Sequence, residues 1–281
     1  MSAAGTFPAR AAGHWGLVIG GGLTLLLMAS AALSLLWTPA SPYVIDVPHK
    51  LQLPSAQHWL GTDALGRDVF SMLMAGAQNS VLVGVVAVSI GLVLGTALGA
   101  LAAARPGWID EAVMRLADFT FAFPAVLTAI MLTAVLGAGI ANSILAIGIF
   151  NVPIFARVTR GSAKALWARD FVLAARATGR GPLGITWVHV LPNLLSLLIV
   201  QATIQFANAI LWEAALSYLG FGTVPPQPSW GRMLSDAQAQ LFRAPWLALP
   251  PGLAIVLAVL GLNLLGDGLR DRLDLRLARR R

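Results

Sequence analysis

Two stretches without a charged side chain limit what this chain can fold into: Ser71 to Ala104, and Phe119 to Ala156, the latter 38 residues long. About 20 apolar residues in helix cross a hydrocarbon core of about 30 Å. The first stretch therefore holds one span and the second holds two, divided at Gly137-Ala138-Gly139. Further apolar runs cover Gly16 to Trp37, which is 22 residues, Trp187 to Trp212, and Ala244 to Gly266. The reading is an all-α polytopic membrane protein with six transmembrane helices over 16–267, a polar leader at 1–15 and a basic tail at 268–281. The A-S-A-A-L-S string at Ala29 to Ser34 has a faint cleavage-site look, but the apolar run continues to Trp37, so the first helix reads as uncleaved.

Composition agrees. With 57% hydrophobic residues, 11% charged and a mean hydropathy of +0.77, a soluble domain of 281 residues would lack a charged surface. A net charge of +7 could point to nucleic acid, but the basic residues sit at the ends of apolar runs, so no nucleic-acid surface is expected. Their distribution gives orientation: with the N-terminus cytoplasmic, fifteen Lys and Arg fall inside, against Lys50, Arg67, Arg232 and Arg243 outside. Both termini are then cytoplasmic. The chain has no cysteine, which excludes disulfides and thiolate metal sites, and its four histidines are scattered, so no metal site is read.

Packing signals are also present. Ala87, Gly91, Gly95 and Gly99 fall four apart, a small-residue face that lets another helix approach closely. In the second half of the chain, the polar segment Arg169 to Pro192 interrupts two apolar blocks. Phe171, Ala174, Ala175 and Thr178 recur with helical spacing while Arg169, Arg176 and Arg180 share another face, predicting a short amphipathic helix that Gly179, Gly181 and Pro182 terminate. Its exposed side is available to something soluble.

The spacing of Ala174, Ala175, Gly179, Leu191 and Pro192 resembles the "EAA" loop of binding-protein-dependent ABC importer permeases, with Leu173 where the family has Glu and His189 where it has Ile. Four more strings resemble the C-type permeases of dipeptide, oligopeptide and nickel importers. These are His58 to Ser71 (H-W-L-G-T-D-A-L-G-R-D-V-F-S), Met114 to Pro124, Leu216 to Ala237 and Asn263 to Asp274, together spanning roughly 57–277; Leu275 replaces the family's usual Pro. In the first string Gly61, Thr62, Asp63, Gly66, Arg67 and Asp68 form the outer-side motif; Thr62 or Asp63 is expected to cap the second span, and Asp63 to pair with Arg67 at i, i+4.

The resemblance implies a type I ABC importer permease of MetI-like fold in a prokaryotic plasma (inner) membrane. Such a permease forms a heterodimer with a B-type permease and docks on two ATPase subunits. It receives peptides, or alternatively nickel, a metallophore or glutathione, from a periplasmic solute-binding protein. Around 168–184 the coupling helix would carry the ATPase contact through Arg169, Asp170, Phe171, Ala174, Ala175, Arg176 and Gly179, with Leu191 and Pro192 closing the motif. ATP and Mg would sit on the partners, since no G-x-x-x-x-G-K-[ST] loop occurs here; the chain binds no cofactor and is not itself an enzyme. An ion-coupled secondary transporter is the rival from another class. It would need ionisable groups at membrane depth, and only His189 and Glu213, near span ends, are candidates. On the fifth span Gln201, Gln205, Asn208 and Trp212 lie at i, i+4, i+7 and i+11, a polar stripe expected either to pack against a neighbouring helix or to face the translocation path.

Overall fold

The structure, a computed structural model, describes residues 9–278, without the side chains of residues 9–14 and 274–278; Met1–Pro8 of the leader and 279–281 of the tail lie outside it. Among the described residues there is no β-strand, only an isolated bridge between Thr62 and Asp68. The helices are α1 (Ala9–Leu33), α2 (Val69–Ile90), α3 (Thr96–Ala104), α4 (Trp108–Phe121), α5 (Ala125–Leu136), α6 (Ile140–Trp167), α7 (Asp170–Ala177), α8 (Pro182–Ile185), α9 (Leu191–Tyr218), α10 (Trp230–Gln238) and α11 (Leu249–Ala278). Single π-turns, Gly91–Gly95 and Thr186–Val190, join α2 to α3 and α8 to α9.

Five helical stretches are long and apolar enough to cross a membrane, and the sixth candidate is the bent pair α4–α5. The third span, expected within the uncharged run that opens at Phe119, is thus not one helix but a bent pair that begins in the charged segment before it. The chain turns through 87° between α4 and α5. Pro124 is the cause: it lacks an N–H, and its ring keeps Phe123 out of the helical region. α5 has only 12 residues, roughly 18 Å at helical rise. The break at 137–139 stands, since Gly137 at φ 95° and Gly139 at φ 151° end α5 and open α6. α6 then runs eleven residues beyond Ala156, the end of the uncharged run, through Arg157, Arg160 and Lys164. The first helix ends at Leu33, before Trp37, and α11 carries most of the expected tail as continuous helix.

With lipid as solvent, helices associate through close packing more than through apolar burial. The small-residue face of α2–α3 does this against α6: a Cβ on Gly91 would stand 2.3 Å from Cβ of Asn151, and one on Gly99 2.3 Å from the Ala156 carbonyl. α1 meets α11 as closely, where a Cβ on Gly20 would reach 2.3 Å from the Leu265 nitrogen. Two buried clusters result, one centred on Phe155, Ile147 and Leu198 and the other on Trp230, Ile210 and Leu262.

Candidate coupling surface and outer platform

At one end of the bundle α6 passes into α7 through Ala168 and the extended Arg169. α7 ends in a Schellman turn: the Gly179 N–H donates to the Arg176 carbonyl at 2.9 Å, and the Arg180 N–H to the Ala175 carbonyl at 3.2 Å, with Gly179 at φ 81°. Pro182, whose missing N–H costs nothing at a helix start, opens α8. Inside, Val172 is fully buried in the cluster that holds Trp167, Ile185, Val190 and Leu194, and the Arg176 guanidinium lies 4.9 Å from the Trp167 ring centre.

The face that α7 buries differs from the expected one. Phe171, Ala174 and Thr178 are exposed and Ala175 is half-buried, so the anchoring residue is Val172. An eight-residue helix held by a turn at each end touches the bundle along one narrow line, and the spacing through Val172 supplies it. The apolar side chains therefore point outward. The large apolar side chains left exposed on this segment are Phe171 and Leu173 on α7, and Leu183, Trp187 and Val188 beyond it, with Leu183 71% and Trp187 75% exposed; Ala174, Arg169, Asp170 and Arg180 are exposed as well, and Trp187 edges an apolar cleft of the bundle. Leu191 is half-buried and Pro192 exposed where α9 begins.

The opposite end is a platform built from 34–68 and 219–248. The cap of α2 is Asp68 and not Thr62 or Asp63: its carboxylate accepts from the Ser71 N–H at 2.8 Å and from the Ser71 hydroxyl at 2.7 Å, and contacts His58 Nδ1 at 2.9 Å. Gly61 at φ 78° and Gly66 at φ 80° keep the preceding motif out of helix. Thr62, buried, bonds the His49 carbonyl and the Gln52 N–H instead. Asp63 does pair with Arg67, at 2.6 Å, across a turn, and Arg67 lies 3.7 Å from Asp236 of α10. The Asn79 amide donates to the Pro228 carbonyl at 2.6 Å, tying the loop to α2.

Between α2–α3 and α9 lies an apolar cleft of about 890 Å³, lined on α9 by Leu195, Leu198, Ile199, Ala202, Thr203 and Phe206. The polar stripe is not on that wall. Gln205 is 4% exposed, and its amide oxygen accepts from Asn208 at 3.4 Å; Trp212 meets Phe150 of α6 edge-on at 5.4 Å, and Gln201 is half-buried. Among the described residues no three His, Cys, Asp or Glu come together as a metal site.

Residues 91–279 match the family described as "Binding-protein-dependent transport system inner membrane component". The dipeptide transport system permease protein DppC of Alkalihalophilus pseudofirmus is 45% identical over 254 residues, covering 89% of this chain and 84% of that protein. The chain belongs to this permease family. The glutathione transport system permease protein GsiD of Escherichia coli is 48% identical over 221 residues, covering 79% of this chain and 73% of that one, and GsiD of Pectobacterium atrosepticum is 44% identical over the same length. In fold, this permease is similar to a chain of the MetNI methionine ABC transporter, solved facing inward, with a TM-score of 0.58 at 20% identity over 70% of this chain and 93% of that one. It is the permease subunit of an ABC importer, with the type I, MetI-like fold.

Two features of the permease are set by contacts between distant parts of the chain or by a single proline. One is the α4–α5 elbow, signalled by Pro124 inside an uncharged run. The other is an ion cluster between α4 and α6, signalled only by Asp110 and Asp118 on one segment and Arg157, Arg160 and Lys164 on another.

Proposed function

We propose that this permease carries di- and oligopeptides, as a non-catalytic subunit paired with a B-type permease and driven by two ATPase subunits docked on the α7–α8 surface. The observation that carries the docking is the exposure of large apolar side chains, Phe171 and Leu173 on α7 and Leu183 on α8, on a segment anchored by buried Val172 and closed by the Gly179 turn. Exposed apolar side chains on a short helix with a closed C-terminal turn suit a protein partner. The Lys and Arg distribution supports a cytoplasmic α7 end, with both termini on that side, and a periplasmic platform that receives a solute-binding protein. In this reading ATP draws the ATPases together, α7 moves with them, and the spans rock between inward- and outward-facing forms.

Peptide cargo rests on the DppC relative; the GsiD relatives favour glutathione, itself a peptide, as the second reading. The test is uptake by the full complex in liposomes with its binding protein. Labelled dipeptide should accumulate with ATP, and glutathione should compete weakly. Uptake of glutathione alone would move the assignment to the second reading, and uptake driven by an ion gradient without ATP would remove both.

A further inference from the structure

The ion cluster between α4 and α6 joins the proposed coupling surface to the elbow. Asp110, 8% exposed in the first turn of α4, receives both Nε and Nη2 of Arg160, the latter at 2.9 Å, and Nζ of Lys164 at 2.6 Å. One turn from the end of the same helix, Asp118 accepts from Arg157 at 2.5 Å, and the Arg157 guanidinium also lies 4.4 Å from the Phe121 ring centre. Arg157, Arg160 and Lys164 follow one face of α6, and Trp167, three residues on, carries Arg176 of α7. A forked guanidinium on a carboxylate fixes direction as well as distance. α4 is thus attached at two points to the part of α6 that leads into α7. Beyond its 87° bend, α5 packs on α6 and α9 and leaves Leu127, Met131 and Val135 exposed on its far side.

We infer that Asp110 is a positioning residue of the transport cycle: it clamps α4 to α6, so that α4, the end of α6 and α7 move as one body and the displacement of α7 is delivered across the elbow to α5. The inference rests on the docking reading above. A pair that merely stabilised the fold would fail by loss of the complex. A clamp fails by separating hydrolysis from transport.

The complete complex in liposomes, with its binding protein and labelled dipeptide, distinguishes the two. Asp110→Asn should keep the ATPase subunits on purification and keep hydrolysing ATP, while uptake per ATP falls by about tenfold. Because the chain has no cysteine, an Asp110→Cys, Arg160→Cys double variant can be joined by a bifunctional thiol reagent of side-chain length. Joining should restore uptake to that of the parent complex, because the two helices never need to separate. Unchanged uptake per ATP in Asp110→Asn, or a joined variant that remains inactive, overturns the clamp. The docking reading fails on a separate signal, namely absence of a cross-link between Leu183→Cys and an ATPase subunit.

Discussion

The indole Nε1 of Trp230 donates to the backbone carbonyl of Leu73 at 2.9 Å, over Gly76, where a Cβ would stand 2.7 Å from the ring. This contact seats α10 on α2 and closes the outer platform. The ring is 3% exposed, so Trp230→Ala should lower the stability of the purified complex by about 3–5 kcal/mol. Trp230→Phe, which loses chiefly the hydrogen bond, should cost about 1 kcal/mol. Thermal unfolding in detergent measures both, and equal losses would mean that the ring contributes nothing by packing.

Gly179 separates two reasons for needing glycine. Among the described residues nothing lies within 4 Å of an added Cβ, but φ is 81°. A left-handed backbone costs a β-branched residue more than it costs Asn. Gly179→Val should therefore abolish uptake with hydrolysis retained, and Gly179→Asn should preserve much of the uptake. If both are inactive, it is the close approach of a partner that demands glycine there.

For the polar stripe, burial sets the order of reactivity. Cys at 201 and 208 should react with a small hydrophilic thiol reagent, and Cys at 205, where the native side chain is 4% exposed, should not. Gln205→Leu should cost on the order of 0.6 kcal/mol and leave uptake intact. Loss of uptake with normal assembly would place Gln205 on the path itself.

Orientation is tested by labelling whole cells with a membrane-impermeant thiol reagent. Gln57→Cys and Gln227→Cys, both exposed on the platform, should label; Leu183→Cys should label only after the membrane is opened. Labelling of 183 in intact cells would reverse the proposed orientation.

What the sequence made legible was whatever is written locally. Gly137 and Gly139 broke the long apolar run where the chain does break, and Gly179 ended α7 through its own backbone geometry. The Asp63–Arg67 pair formed, although across a turn that Gly61 and Gly66 impose. Partners distant in sequence were not legible. α6 continues as helix through Arg157, Arg160 and Lys164 with Ala156, Thr159, Ala163 and Trp167 buried at helical spacing on its other face, but that Asp110 and Asp118 of α4 meet those charges is recorded by no local pattern. Hydrophobic periodicity also misassigned α7, because it assumes that apolar residues face inward, and here Phe171 and Leu173 face out.

Site-specific photo-cross-linking tests whether the α7–α8 surface is the ATPase dock. With a photoreactive residue at Leu173 or Leu183 in the assembled complex, an ATPase subunit should form an adduct at both positions, and none should form at Gln227 on the platform. A complex that retains its ATPase subunits, yet gives no such adduct at 173 or 183, would contradict that assignment.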